Sequence, residues 1–198
     1  LLLALENKED LAMESLRSLR TTLHFAFLEA HNNIVMITGP SPGIGKTFVS
    51  ANLAVTMADA GKKVLLIDGD LRRGNFHKHM RLSRENGLSE LISRSIDLND
   101  AIKSIPLAAI DFIPTGKVPP NPSELLLHER FGQLLETVSN QYDLVIIDSP
   151  PILAATDAAI IGRLASVTLM AVRAGTHPLR ELEQSVKKLV QAGVNLKG

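Results

Sequence analysis

The 198-residue chain contains no cysteine, which excludes disulfide bonds, thiolate nucleophiles and cysteine-based zinc sites. Basic and acidic residues number 21 each, so the formal net charge is zero. A protein that binds nucleic acid by neutralising phosphates is normally basic, and we therefore expect no nucleic-acid partner. No apolar run approaches the roughly 20 residues that span a bilayer, and no signal-peptide pattern is present. We expect a soluble, intracellular-type domain.

Short apolar runs alternate with helical patterns along the chain, and 45% of the residues are hydrophobic. The predicted strands are 34–38, 64–67, 110–113, 144–147 and 167–172. The predicted helices are 10–28, 46–60, 121–140 (with Asn121 as N-cap), 155–164 and 178–192, and 72–105 is expected to be mostly helical. This alternation predicts an α/β fold with a mainly parallel sheet and helices on both faces. Because the pattern stops after a helix, we expect the chain to be part of a longer protein.

The strongest motif is GPSPGIGKT at residues 39–47, between a predicted strand and a predicted helix. It is close to the phosphate-binding pattern GxxxxGK[ST], although Pro40 stands at the first glycine position and Gly39 one earlier. Glycines let backbone N–H groups turn towards phosphates, and the helix N-terminus adds partial positive charge. In this pattern Lys46 reaches the β- and γ-phosphates and the Thr47 hydroxyl is a Mg²⁺ ligand. The alternative is an ordinary Gly/Pro turn before a helix.

Acidic residues follow two other predicted strands. Asp68 and Asp70 lie two apart and can converge on one cation if the chain stays extended. Asp148 ends another apolar run and could bind Mg²⁺ through water. Taken singly, each is equally consistent with an acidic turn. Because ligands bind at the carboxyl ends of parallel strands, the three aspartates and the phosphate loop together predict a magnesium–nucleotide site.

These segments carry a resemblance. The motifs GPSPGIGKT (39–47), VLLIDGDLR (64–72) and LVIIDSPP (144–151) resemble the Walker A, A′ and B motifs of bacterial tyrosine kinases. The similarity is closest to the cytoplasmic kinase domain of Wzc/Etk-type capsule and exopolysaccharide autokinases, covers essentially the whole chain and includes GKVPPNPSELL at 116–126. It implies a MinD-like (SIMIBI) P-loop NTPase architecture, ATP and Mg²⁺ as cofactors, and transfer of the γ-phosphoryl group to tyrosine.

The resemblance also implies roles for individual residues. Lys46, Asp68 and Asp70 would be catalytic, with Asp68 as the base that takes the tyrosine proton. Mg²⁺ would be held by Thr47, Asp70 and Asp148. The residues implied in nucleotide binding are Gly43, Ile44, Gly45, Lys46, Thr47, Phe48 and Arg72. For Arg72, a place on the protein surface is an equal alternative.

A further element is Glu14, Arg17 and Arg20, which spacing of three places along one face of the first helix. By itself this pattern is typical of a solvated, salt-bridged face. The resemblance implies instead a contact between subunits of an octamer-like homo-oligomeric ring. We therefore expect one P-loop domain in which 1–30 carries the oligomer contact and 31–198 forms the nucleotide-binding core.

The resemblance implies partners as well: a membrane-anchored chain-length-regulator region preceding the kinase domain, protein tyrosine substrates and a cognate phosphotyrosine phosphatase. The implied location is the cytoplasmic face of the bacterial inner membrane. The chain departs from the family in lacking a terminal tyrosine cluster, since Tyr142 is its single tyrosine and is expected in the core.

Two other functions remain open. A MinD/ParA-like positioning ATPase would share the fold, but such proteins carry a second lysine where this chain has Ser41. A nucleotide-gated assembly scaffold with little catalysis is the other alternative. His77 and His79 are expected to be solvated rather than to bind a metal.

Overall fold

One six-stranded sheet organises the part of the chain that the computed structural model describes, residues 2–198. Leu1, which the predicted segment 1–30 includes, lies outside it. The strands are β1 (Ile34–Thr38), β2 (Val64–Asp68), β3 (Lys103–Ile105), β4 (Ile110–Ile113), β5 (Leu144–Asp148) and β6 (Val167–Met170). Their order is β3-β4-β2-β5-β1-β6, and only the pairing of β3 with β4 is antiparallel. The predicted mainly parallel sheet is confirmed.

Helices cover both faces of this sheet, as predicted. They are α1 (Leu3–Glu6), α2 (Leu11–Ala26), α3 (Lys46–Asp59), α4 (Phe76–His79), α5 (Leu88–Ile92), α6 (Leu98–Ala101), α7 (Pro122–Leu127), α8 (Glu129–Ser139), α9 (Asp157–Leu164) and α10 (Leu179–Gln191). One apolar cluster packs the sheet against α1, α2 and α3, and the other packs it against α5 and α7 to α10. Among residues 2–198, no helix is both long and apolar enough to cross a membrane.

The central strands β1, β2 and β5 are apolar throughout because both of their faces are covered. Every residue of these strands is buried. Successive side chains in a strand point to opposite faces. Accordingly, Ile34 and Met36 of β1 join the cluster on one face, and Val35 and Ile37 join the cluster on the other. A strand buried on both faces cannot alternate with polar residues, which explains the continuous apolar runs in the sequence.

The carboxyl ends of β1, β2 and β5 meet at one edge of the sheet. In the β2–β5 ladder Asp68 lies opposite Asp148, and in the β1–β5 ladder Ile37 lies opposite Asp148. Both aspartates are the last residues of their strands rather than the first residues after them. The last residues of β2 and β5 are therefore neighbours in space, next to the end of β1, although they are far apart in the sequence.

Asp10 is the N-cap of α2, and its carboxylate accepts a hydrogen bond from the Ala12 N–H at 2.9 Å, which caps the first turn. The buried residues of α2 are Met13, Leu16 and Leu23, which pack into the cluster shared with α3. Leu11, the first residue of the helix, is 83% exposed.

Two predicted elements differ from the structure. The segment 72–105 contains three short helices, α4 to α6, and ends in the antiparallel edge strand β3, which was not predicted. The predicted helix 121–140 is divided at His128, whose extended backbone (φ −65°, ψ 137°) ends α7 and whose ring accepts from the Arg130 N–H to start α8. Asn121 stands at the N-cap of α7, but its side chain donates to Glu124 instead of capping the helix.

The two histidines of α4 differ in exposure. His79 is exposed as expected, whereas His77 is only 7% exposed, so the expectation of a solvated side chain is wrong for His77. The cause is that α4 lies on the sheet through Phe76, whose ring contacts Phe112 of β4, and this brings the next residue into the interior.

Candidate functional site

The phosphate-loop sequence connects β1 to α3. Gly43 and Gly45 have φ of 75° and 103°, a left-handed conformation that favours glycine, and Gly45 is the N-cap of α3. A Cβ at Gly39 would lie 2.2 Å from Ile44 Cδ1 and 2.7 Å from the Ala171 carbonyl oxygen. Close packing therefore requires glycine at position 39, one residue earlier than in the general pattern.

The first turn of α3 is joined to the end of β5. Thr47 Oγ1 donates to Asp148 Oδ2 at 2.6 Å, and Ser50 Oγ lies 3.1 Å from Asp148 Oδ1. Lys46 is 9% exposed, and its Nζ donates back to the Ser41 carbonyl oxygen at 3.4 Å. The lysine, the threonine and the carboxylate of the predicted site thus lie together.

Burial changes the ionisation of this group. It raises the pKa of Asp148 to about 6, although the hydrogen bond from Thr47 and the charge of Lys46 oppose the increase. Burial lowers the pKa of Lys46, and the negative charges of Asp148 and Asp70 partly offset that decrease. These couplings show that Asp70 also lies within electrostatic reach of the lysine.

Asp68 is 1% exposed and faces the loop that follows β2. Its Oδ1 accepts from the Asp70 N–H at 3.3 Å, and its Oδ2 accepts from the Phe76 N–H at 3.2 Å. Burial and the charge of neighbouring Asp148 raise the pKa of Asp68 well above its usual range. A carboxylate with a raised pKa is a better proton acceptor near neutral pH than an exposed aspartate.

The half-buried Asp70 carboxylate is oriented by the backbone that follows it. Its Oδ1 accepts from the N–H groups of Arg72 at 3.2 Å and Arg73 at 2.9 Å. The Arg72 guanidinium, predicted to bind nucleotide, is paired with the buried Asp157 at 2.8 Å. Its backbone and its side chain are therefore both engaged within the protein.

A cavity of about 410 Å³ opens beside these groups, and Gly43, Lys46, Thr47, Asp70 and Arg72 lie in its walls. The other residues predicted to bind nucleotide, Ile44, Gly45 and Phe48, lie in the loop and the first turn of α3 and are partly buried. The cavity is open to solvent at the end of the sheet where strand-end ligands bind in α/β proteins.

The donor set of this cavity fits Mg²⁺. Asp70 and Thr47 line the cavity, Asp148 lies next to them through its hydrogen bond with Thr47, and carboxylate and hydroxyl oxygens are the ligands that Mg²⁺ prefers. Within the described range 2–198, no three acidic or histidine side chains converge closely enough to hold a metal by themselves. This is the usual condition for nucleotide-bound Mg²⁺, which takes one or two protein ligands and completes its shell with phosphates and water.

The Glu14, Arg17 and Arg20 group lies on α2, outside this cavity. Glu14 and Arg17 form an exposed ion pair at 2.9 Å, and Arg17 Nη2 also donates to the Lys8 carbonyl oxygen at 2.5 Å. Arg20 is half-buried. The arrangement contains the salt-bridged face that the spacing predicts, and the subunit contact stays a prediction.

Sequence reasoning missed Ser50 and Asp157. Ser50 lies three residues after Thr47, and that helical spacing alone would have placed it near the same carboxylate. Asp157 is a lone acid before the apolar face of α9, and an acid in such a position needs a partner when buried. Its partner Arg72 is 85 positions away in the chain, so the pairing itself left no local signal.

Comparison with known proteins decides the family. A family profile described as "AAA domain" matches residues 32–195. The tyrosine-protein kinase Wzc of Salmonella typhimurium is 51% identical over 197 residues, which is 100% of this chain and 27% of that protein. The solved kinase domain of Escherichia coli tyrosine kinase ETK is 49% identical and superposes with a TM-score of 0.97, covering 100% of this chain and 78% of that one. The chain belongs to the Wzc/Etk tyrosine-kinase family.

Membership of the Wzc/Etk family confirms the resemblance seen in the sequence. The chain spans about a quarter of the length of the curated relatives that it matches. The MinD protein of Pyrococcus horikoshii, solved with Mg-ADP, is 24% identical with a TM-score of 0.70 over 84% of this chain and 68% of that one, which shows a common fold. The second lysine expected of a positioning ATPase is replaced by Ser41, which hydrogen-bonds the His177 ring at 2.7 Å.

Proposed function

We propose that this chain is the ATP- and Mg²⁺-dependent protein-tyrosine kinase domain of a longer protein. The observation that carries the proposal is the contact between Thr47 and Asp148 at the start of α3, with Lys46 beside it and Asp68 on the adjacent strand. Binding a nucleotide needs the first three residues, and deprotonating an acceptor needs the fourth. The names of the relatives, all tyrosine-protein kinases, support the same activity.

The loop residues Gly43–Thr47 and the N-terminus of α3 bind the phosphates in this proposal. Their backbone N–H groups and the helix dipole favour negative charge at that point. Lys46 neutralises the β- and γ-phosphates, and its low exposure strengthens the attraction because water screens it little. Thr47, Asp70 and Asp148 would hold Mg²⁺, which would supply further charge neutralisation for the phosphoryl group.

Asp68 accepts the proton of the tyrosine hydroxyl. The phenol oxygen forms a bond to the γ-phosphorus, the bond from that phosphorus to the β–γ bridging oxygen breaks, and ADP leaves with the bond's electrons. A phenol with a pKa of about 10 requires a positioned acceptor, and the raised pKa of Asp68 suits it to that task.

The acceptor tyrosine comes from outside these residues. The single tyrosine, Tyr142, precedes β5 at the opposite end of the sheet, and its hydroxyl donates to Asp111 at 2.8 Å. The proposal therefore includes other protein tyrosines as substrates and phosphorylation between neighbouring subunits, with a phosphotyrosine phosphatase to reverse it.

We propose that the whole protein acts in capsule or exopolysaccharide production at the cytoplasmic face of the inner membrane. In this proposal residues 31–198 form the nucleotide-binding core, and 1–30 carries a contact in a homo-oligomeric ring. A membrane-anchored chain-length-regulator region is the proposed partner in the same protein. The relatives are about four times as long as this chain, which leaves room for such a region.

Phosphorylation of a tyrosine peptide, followed with radiolabelled ATP, tests the proposed activity. Lys46→Met is expected to abolish transfer together with binding of a fluorescent ATP analogue. Asp68→Asn is expected to lower transfer by about 100-fold or more while the analogue still binds, because only the proton acceptor is lost. Lys62→Met, an exposed lysine at the other end of β2, serves as the matched control. Transfer that survives both site variants would contradict the roles given to Lys46 and Asp68, and a wild type that binds the analogue but transfers no phosphate would favour the scaffold function.

A further inference from the structure

Arg72, Ser123 and Asp157 form a closed cluster at the edge of the cavity, here called the Arg72 clamp. Asp157 begins α9 and is fully buried. Arg72 donates to both of its oxygens, Nε to Oδ2 at 2.8 Å and Nη2 to Oδ1 at 3.1 Å. Ser123, in the first turn of α7, donates to Asp157 Oδ1 at 2.5 Å and accepts from Arg72 Nη2 at 2.9 Å. The clamp thus ties the loop after β2 to two helices.

The same arginine also orients a proposed Mg²⁺ ligand. The backbone N–H groups of Arg72 and Arg73 both donate to Asp70 Oδ1. The charge of Asp70 acts on Lys46 across the cavity. One residue therefore connects the buried Asp157, through its side chain, with the Asp70 carboxylate, through its backbone.

The geometry of the clamp is strong and directional. Two parallel N–H···O bonds between a guanidinium and a carboxylate fix both groups in one plane, which a single bond does not do. Leaving a fully buried carboxylate without its cation is strongly disfavoured, so the pairing with Asp157 holds Arg72 in place. The Arg72 guanidinium is thereby held on α9 rather than free to turn to a phosphate.

We propose that Arg72 is a positioning residue that acts through Asp157 and Ser123 to hold Asp70 in the orientation that binds Mg²⁺ with nucleotide. This inference rests on the proposed nucleotide function of the cavity. It replaces the predicted direct contact of Arg72 with phosphate. The clamp fixes the path of the loop 69–73, and the loop presents the carboxylate.

Binding of a fluorescent ATP analogue, titrated with Mg²⁺, tests the clamp without any phosphoryl transfer. Asp157→Asn and Arg72→Ala are each expected to raise the Mg²⁺ concentration for half-maximal binding by about tenfold or more, as for other residues that orient metal ligands. Neither variant should change the affinity measured without Mg²⁺. The double variant should need no more Mg²⁺ for half-maximal binding than the more affected single variant, because each change alone already disrupts the same Arg72 clamp.

The control is Asp111→Asn, which removes an aspartate that accepts from a hydroxyl at the other end of the sheet and should leave the Mg²⁺ titration unchanged. Far-UV circular dichroism and thermal unfolding establish that each variant is folded. If Arg72→Ala does not fold, Arg72→Lys takes its place, because a lysine keeps the charge but cannot form the two parallel bonds.

Three results would overturn the inference. One is a loss of affinity without Mg²⁺ in the Arg72 variant alone, which is the signature of a direct phosphate contact. The second is an additive effect in the double variant, and the third is an unchanged Mg²⁺ titration in Asp157→Asn. If the wild type binds Mg²⁺-nucleotide and shows the expected variant pattern but phosphorylates no tyrosine, the clamp stands and the kinase activity fails.

Discussion

Asp148, the last residue of β5, is a buried acid that is only 5% exposed and contacts the first turn of α3. Thr47 and Ser50 hydrogen-bond it, yet burial still raises its pKa to about 6. A carboxylate whose pKa is raised in the folded state makes folding less favourable once it ionises. The residue best placed to hold a cation therefore weakens the nucleotide-free fold at neutral pH.

Replacing this carboxylate gives a pH-dependent change in stability. Between about pH 4 and pH 6 folded wild type retains a proton at Asp148 that the unfolded chain has lost, so its stability decreases with rising pH and levels off above pH 6. The decrease from this group is up to about 3 kcal/mol. Asp148→Asn lacks this titrating group, so its free energy of unfolding should increase relative to that of the wild type as the pH rises across that window. Urea unfolding at several pH values measures the difference, and parallel stability curves would show the assignment to be wrong.

The site could be predicted as far as its residues lie within motifs. Lys46, Thr47 and Asp148 follow from spacing and from apolar runs that stop at a polar residue. Asp157 and Ser123 could not be found, because the contacts that give them a role join positions 85 and 34 apart. A bidentate pair of this kind depends on where α9 meets the loop after β2, and no local pattern encodes it.

Among the secondary-structure elements, too, some could be predicted from the sequence and others could not. The buried strands β1, β2 and β5 were predictable because burial on both faces demands continuous apolar sequence. The segment 72–105 was not, because its helices are only four or five residues long and show no periodicity. Helix α5, for example, is fixed by Glu90, which accepts from the N–H groups of Gly87 and of Lys117, 27 positions away.

Helix α2 supplies a test of the proposed ring contact. Its buried face holds it on α3, whereas Glu14 and Arg17 have 71% and 38% of their side chains exposed. Changing Glu14, Arg17 and Arg20 to alanine should therefore reduce the mass of the assembly in light scattering while helical content stays constant. The exposed ion pair contributes at most about 1 kcal/mol to folding, so the variant should unfold near the wild-type temperature.

A matched control exists on α10. Arg180, Glu183 and Lys187 are also two cations and one anion, and all three are exposed. Their replacement by alanine removes the same charges from another surface and should leave the assembly unchanged. Equal effects of the two triple variants would assign the result to net charge rather than to a contact made by α2, and an unchanged mass in the α2 variant would argue against the contact.

At the scale of the whole molecule, the sheet order places β1 and β2 on either side of β5, so a ligand at their ends contacts segments that are distant in sequence. Such a ligand stabilises the folded chain as a unit. At a concentration of about 100 times its Kd, Mg-ADP should add about 2.7 kcal/mol, which for a chain of this size raises Tm by about 5–10 °C. ADP with a chelator should give a smaller increase.

Thr47→Ala separates the contribution of the cation from that of the phosphates. Without the hydroxyl one proposed ligand of Mg²⁺ is lost, so the variant's Tm increase with Mg-ADP should fall to the value measured with ADP and chelator. Thr22→Ala, an exposed threonine on α2, should retain the full increase. Because each Tm is compared with that of the same variant without ligand, any effect of losing the Thr47–Asp148 hydrogen bond on folding cancels. A wild-type increase that is equal with and without Mg²⁺ would remove the cation from the site, and with it the proposed roles of Asp70 and Asp148.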